Sequence, residues 1–174
     1  MNIIGKNIVL RAVEQEDLGV LRALMNDPDV ENKVCGWSFP LSSQEHNSWF
    51  NSLRNDDKTL RCVIVTNEKV TIGTCVLSNI DWKNRHGRVH IKILKEYRGN
   101  GYGKAAVSTL TNYGFRELDL KCIWATALED NLASVTMFEK CGFKKEGVMR
   151  CRVYKEGRHQ NEVMLSVLNV ENNA

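Results

Sequence analysis

The sequence predicts an α/β fold whose sheet is mixed and mostly antiparallel. Three observations lead there. Strand-like and helix-like segments interleave along the chain, short polar turns join neighbouring strands as hairpins, and one strand runs into a glycine-rich segment that opens a helix. A connection through a helix brings its flanking strands parallel, so the parallel pair is expected on either side of that helix.

The elements follow in order. Residues 8–13 read as a strand, and residues 14–26 carry Leu18, Leu21, Leu24 and Met25 at helical spacing until Pro28 stops the helix. Ser42 with Glu45 three residues on has the form of a capping box, and it opens a second helix with Trp49, Phe50 and Leu53, the two aromatics expected in its core. Residues 59–66 and 71–80 are strands about the turn Asn67-Glu68-Lys69. Val89, Ile91 and Ile93 alternate with His90 and Lys92, so residues 88–94 form a half-buried strand. A helix over 104–117, a strand over 122–128 and a short helix over 131–140 follow, the last ended by Gly142 as a left-handed cap. Residues 147–154 and 161–168 close the chain as a hairpin.

Length and composition bound the function. The 174 residues suit one domain, 1–174, with 43% hydrophobic and 26% charged residues, a globular composition. No run of about 18 apolar residues occurs, and the N-terminus lacks the layout of a signal peptide. A cytoplasmic protein without a membrane partner is expected. The net charge of +3 is too small to argue for nucleic acid. Six cysteines without a C-x-x-C pair, three of them (Cys62, Cys75 and Cys122) inside apolar strands, point to free buried thiols rather than a disulfide framework. The four histidines lack metal-ligand spacing, and no metal is expected.

The chemistry gathers at Arg98-Gly99-Asn100-Gly101-Tyr102-Gly103-Lys104. Glycines between a strand and a helix let the backbone approach a ligand, and the helix start adds free N–H groups and a positive dipole end, which together suit a phosphate. A glycine-rich turn without a ligand is the plainer reading. The P-loop pattern fails, because Arg98 stands at its first glycine and Ala105 at its Ser/Thr. The G-x-G-x-x-G dinucleotide pattern fits poorly. The pattern [QR]-x-x-G-x-[GA] does fit, through Arg98, Gly101 and Gly103.

On that hexapeptide, and on a second segment from Asn131 through Phe138-Glu139-Lys140-Cys141-Gly142-Phe143, the chain resembles the GNAT acyltransferase superfamily. Within it the chain looks closest to the branch holding ribosomal-protein N-terminal, spermidine and nucleotide-sugar amine acetyltransferases. The resemblance implies two splayed parallel central strands, 88–94 and 122–128, with acetyl-CoA lying between them as co-substrate. It places the pantetheine arm on the backbone of Ile91, Lys92 and Ile93, and the pyrophosphate on residues 98–104. It makes Asn131 a cofactor contact, although a helix N-cap explains Asn131 as well. It implies an amine acceptor, either a small molecule or a protein N-terminus, and a homodimer.

Two departures from the family pattern stand out. Phe138 occupies the position of a tyrosine that protonates the departing thiolate; it remains a cofactor contact but has no proton to give. Arg88 occupies the position of a glutamate base. His90, two residues on and on the same strand face, is the candidate replacement, or else a strand histidine with a satisfied ring. Glu129 is a further catalytic candidate, with Asp130 beside it, against a reading as solvated loop. Trp37 and Phe39 are candidates to line an acceptor pocket. Asp27, Asp29 and Glu31 either attract a cationic amine or form a solvated helix end. A spermidine-type enzyme needs an acidic pocket, which the sequence does not display. With both departures, a non-catalytic acyl-CoA-binding module is the alternative function.

Overall fold

The computed structural model describes residues 1–36, 39–53 and 56–171. Its strands are β1 (Ile3–Gly5), β2 (Ile8–Arg11), β3 (Leu60–Thr66), β4 (Thr71–Asp81), β5 (His86–Ile93), β6 (Cys122–Leu128), β7 (Lys144–Lys155) and β8 (Arg158–Leu168). Its helices are α1 (Leu18–Asn26), α2 (Pro28–Glu31), α3 (Ser43–Ser52), α4 (Tyr102–Arg116) and α5 (Leu132–Glu139). The strands form one sheet in the order β1-β2-β3-β4-β5-β6-β8-β7. Every neighbouring pair is antiparallel except β5 and β6, which flank α4 as the helical crossover requires.

The departures from expectation are local. Pro28 does end the first helix, but it then serves as the first residue of α2, where its missing N–H costs nothing, and Asp27 caps it by accepting from the Asp29 N–H. Residues 15–17 form a tighter turn ahead of α1. Strand β1 is an addition, paired with β2. In α3 the capping box of Ser42 and Glu45 is present, yet the side chain buried is that of His46. Trp49 and Phe50 are only half-buried, and Trp49 stacks on the His46 ring at 5.0 Å. All six cysteines are free, with Cys62 and Cys75 buried and Cys122 partly so.

The core lies where α4 crosses the sheet. Ala106, Val107, Leu110 and Phe115 recur on one helix face and pack with Leu77, Ile123 and Leu165. The approach is close enough that a Cβ on Gly114 would sit 2.7 Å from Ile123 Cδ1. That contact sets α4, and the loop preceding it, against the sheet.

An ion pair around a buried carboxylate ties the turn ahead of α1 to strands β2 and β4. Asp17 is 2% exposed. Arg11 donates to its two oxygens at 2.6 and 2.9 Å, Thr71 at 2.8 Å and the Glu14 N–H at 2.9 Å. Burial alone would raise the carboxyl pKa, but the bonds from Arg11, Glu14 and Thr71 outweigh it and hold the group below its ordinary value. Asp17→Asn is expected to destabilise the chain by about 3 kcal/mol, read from urea midpoints at pH 7. Because the folded pKa is depressed, the carboxylate's contribution is present above about pH 4 and is lost as pH falls below it. The gap between wild type and variant should therefore shrink on acidification, and a gap that stays constant would refute this account.

Candidate active site

β5 and β6 pair over three residues only, His86 with Cys122, Gly87 with Ile123 and Arg88 with Trp124. Beyond that point β5 pairs with β4 alone and β6 with β8 alone. Alternate main-chain groups along residues 89–93, which a continued ladder would have used, face the opening instead. A cleft of about 650 Å³ follows the gap, lined by Val89, Ile91 and Lys92 from β5, Thr126 and Ala127 from β6, and Phe138 from α5.

Strand alternation divides β5 between two environments. On one face, Ile91 and Ile93 point at the start of α4; a Cβ on Gly103 would lie 3.8 and 3.5 Å from their Cδ1 atoms. On the other face stand Arg88, His90 and Lys92, and the Lys92 ammonium reaches Met25 Sδ of α1 at 3.3 Å. The glycine loop and α4 thus occupy one side of the sheet, and α1 and α2 the other.

The glycine loop is held by Arg98, whose Nε donates to the Ile93 carbonyl at 2.9 Å and whose guanidinium lies 4.0 Å from Asp27. Gly99 and Gly101 take φ of 79° and 82°, the left-handed region that side-chain-bearing residues avoid. Gly101 is the N-cap of α4, and the first helical bond runs from the Ala105 N–H to its carbonyl at 3.0 Å. The N–H groups of Tyr102, Gly103 and Lys104 in the first turn therefore lack helical acceptors and point out at the positive end of the helix dipole. Asn100 is exposed and bonds back to the Arg98 carbonyl at 3.4 Å, and Tyr102 packs edge-on to Tyr97. A helix start of this kind is suited to an anion, and it stands where β5 ends, beyond the residues that line the cleft.

Asn131 is engaged as an N-cap. Its side-chain oxygen accepts from the Ser134 N–H at 3.2 Å, and its Nδ2 donates to the Lys33 carbonyl at 3.0 Å, tying α5 to the segment after α2. Phe138 is buried, tilted against Phe143 at 5.2 Å, and lines the cleft.

The face carrying Arg88, His90 and Lys92 is strongly charged. Arg88 donates to the Thr126 hydroxyl, lies 4.0 Å from Glu162 and stacks over Trp124 at 5.1 Å, while its buried Nε has no partner among the described residues. The Lys155 ammonium bonds Glu31 and the Gly36 carbonyl, each at 2.6 Å. His90 Nε2 lies 2.8 Å from Ser78 Oγ. Burial, then the charges of Arg88, Lys92 and Arg61, bring the His90 pKa down to about 4, so the ring is neutral at pH 7. Burial lowers the Lys92 pKa as well; Glu31 opposes the shift and Lys155 adds to it.

The structure does not bring Glu129 into the cleft. It is exposed past the end of β6, where its carboxylate accepts from Asn161 at 2.8 Å and lies 3.9 Å from Lys145. Asp130 pairs with Arg158 at 3.2 Å. The acids Asp27, Asp29 and Glu31 are engaged by the α2 cap, Lys95 and Lys155 respectively. Trp37 lies outside the described residues, and Phe39 is 73% exposed. Tyr154 lines the cleft, while Tyr102 and Tyr113 border a separate cavity beside β1 and the turn that follows it. Sequence reasoning missed Lys92 as a charged side chain of the cleft, and with it Lys155 and Glu162. The alternation Arg88-x-His90-x-Lys92 was the available signal for the first; the other two lie on distant strands.

Four similarities bear on the family. A profile described as an acetyltransferase (GNAT) domain matches residues 7–144. The uncharacterized N-acetyltransferase p20 of Bacillus licheniformis is 30% identical over 95% of each chain. The spermidine N(1)-acetyltransferase of Vibrio cholerae is 27% identical over 94% of each. A crystal structure of spermidine N-acetyltransferase from Vibrio cholerae, in complex with CoA and spermine, superposes with a TM-score of 0.89 at 25% identity, covering 97% of this chain and 99% of that one. With the splayed strands and the glycine cradle already in place, these matches show that the chain belongs to the GNAT family of acetyltransferases, enzymes that use acetyl-CoA as co-substrate.

Proposed function

We propose that this chain transfers the acetyl group of acetyl-CoA to a primary amine by direct attack within the cleft between β5 and β6. The observation that carries this reading is the unpaired edge of β5, running from Val89 toward an anion cradle at Gly101–Lys104. The residues present fit the co-substrate. The cradle offers N–H donors and a dipole to the pyrophosphate, the edge of Ile91, Lys92 and Ile93 offers main-chain groups to the pantetheine amides, and Phe138 gives the far wall an apolar surface. Acetyl-CoA supplies a thioester carbonyl; as the neutral amine attacks, the N–C bond forms, the C–S bond breaks, and CoA leaves as the thiolate, which takes up the proton that the new amide nitrogen sheds.

The chain's own groups do the rest. A fixed N–H on the β5 edge stabilises negative charge growing on the carbonyl oxygen. Arg88 and Lys92 disfavour a third positive charge beside them, so a bound ammonium gives up its proton more readily than in water. His90, neutral at pH 7 and bonded to Ser78, relays that proton outward. Phe138 donates nothing, and the leaving group does not require it to, because a thiol of ordinary pKa, about 8.5, departs without a strong acid. The same phenylalanine favours the second reading, an acyl-CoA-binding module without turnover.

Purified protein with acetyl-CoA and a pooled amine panel, read by mass spectrometry, separates the two. Acetylation of any member that requires folded protein supports transfer, whereas thermal protection by CoA with no product across the panel supports the module. Asn100→Asp places a carboxylate in the cradle without changing side-chain size. It is expected to raise the CoA dissociation constant about tenfold while leaving the melting temperature of the free chain nearly unchanged. An unaltered affinity would remove the cradle from the site.

His90→Gln is expected to lower kcat by about tenfold or more. In the wild type, kcat/KM should show no His90 inflection between pH 6 and 7, because the ring titrates near 4. The depressed pKa also predicts that stability falls as pH drops from the unfolded value of 6.5 toward 4, by an amount on the order of 3 kcal/mol, since the unfolded chain binds a proton there and the folded chain does not. His90→Gln should flatten that slope, and an unchanged slope would assign it elsewhere.

A further inference from the structure

The acceptor half of the cleft carries more positive charge than negative. Lys33, Arg88, Lys92, Arg152 and Lys155 line it against Glu31 and Glu162. Both carboxylates are already taken: Glu31 by Lys155 at 2.6 Å, and Glu162 by Arg88 and Arg152 at 4.0 Å each. Two cations are left over, Lys33, which is exposed, and Lys92, which is half-buried within the cleft. The Lys92 ammonium touches Met25 Sδ, and no carboxylate lies within 4.0 Å of it among the described residues. Glu162, 7% exposed between two arginines, is too well shielded to receive a third cation.

We propose, resting on the acetyl-transfer reading, that the acceptor is a small primary amine that also carries an anionic group, a carboxylate or a phosphate, and that Lys92 binds that group. The geometry is consistent along the strand. His90 and Lys92 share one face of β5 two residues apart, about 6.6 Å at the rise of a β-strand. An amine held beside His90 thus places an anion a few bonds away against the Lys92 ammonium, and the charge-assisted bond offsets the cost of leaving that ammonium half-buried without a partner. The Arg88 Nε–H, buried without an acceptor, is a second donor on the same side. A polyamine brings several positive charges to the same wall and no acceptor for any of these donors.

The proposal sets this chain apart from the relatives whose names carry spermidine. It also specifies the role of Lys92. Its main chain belongs to the co-substrate edge, while its side chain, on the opposite face, selects the acceptor.

The test is binding to the CoA-loaded protein, by calorimetry, of matched amines: O-phosphoethanolamine against ethanolamine, glucosamine 6-phosphate against glucosamine, β-alanine against its amide, and spermidine. The phosphate and carboxylate arms identify which anion is read. Binding at least about tenfold tighter for the anionic member of one or more pairs is expected, with spermidine weakest. Lys92→Met, which keeps the length and removes the charge, should erase most of that preference, and Lys92→Arg should retain it. Tighter binding of spermidine, equal binding within every pair, no binding of any anionic amine, or a preference untouched by Lys92→Met would each overturn the proposal. Anionic amines that bind through Lys92 but are never acetylated would overturn the transfer reading and leave this one standing.

Discussion

The parallel ladder between β5 and β6 stops at Arg88 and Trp124, and the rest of the molecule is arranged around that stop. Both strands remain firmly held on their outer sides, β5 by β4 and β6 by β8, so the gap between them stays open rather than zipping shut. The packing of α4 fixes its width. Gly114 allows the helix to press against Ile123 of β6, while Gly103 at the helix start meets Ile91 and Ile93 of β5. One helix therefore braces both arms of the opening, and its own N-terminus lands where β5 ends. The cradle and the cleft are two consequences of a single crossover.

The gap also explains the chemistry of the opposite face. Side chains on β5 that a flat sheet would bury against α1, or expose to solvent, instead stand at the edge of a cavity. His90 is desolvated enough to be neutral, yet near enough to Arg88 and Lys92 to feel both charges. Arg88 at the vertex reaches across to Thr126 and toward Glu162, tying β5 to β6 and β8 through a side chain where the β5–β6 backbone ladder ends. A glutamate there would stand against Glu162 at the same point, and two shielded carboxylates would repel. Arg88 and Glu162 therefore complement one another, and in the proposed mechanism the positive charge acts where a carboxylate base would otherwise stand.

Much of this was legible in the sequence because its signals are local. The glycine spacing at 99–103, the alternation of Val89, Ile91 and Ile93, and the helical face of α4 each lie within one element. What was not legible depends on pairing across the chain. Glu31 and Lys155 are 124 residues apart and meet only because α2 and the last hairpin flank the same cavity. Glu129 has the composition of a catalytic acid, yet Asn161 and Lys145 claim it outside the cleft. Strand β1, three residues long, has too little period to be heard. In α3, hydrophobic character pointed to Trp49 and Phe50, but the helix turns His46 inward and lets Trp49 stack over it. Pro28 was read as a stop and is equally a start, since a first helical residue needs no N–H.

Selectivity within a family that shares one co-substrate has to come from the side of the cleft the co-substrate does not occupy. In this chain the division is built into the pleat of β5. Ile91 and Ile93 face the start of α4, while Arg88, His90 and Lys92 stand on the opposite face, where the acceptor is proposed to bind. A change at an even position leaves the co-substrate wall intact, so charge on the acceptor wall is free to diverge while the fold and the cradle persist. A shared backbone, at a TM-score of 0.89 to the structure holding CoA and spermine, therefore does not fix the acceptor. In the proposed reading the backbone sets where the amine stands, and the two charged side chains on that face, Arg88 and Lys92, with neutral His90 between them, decide which amine stands there.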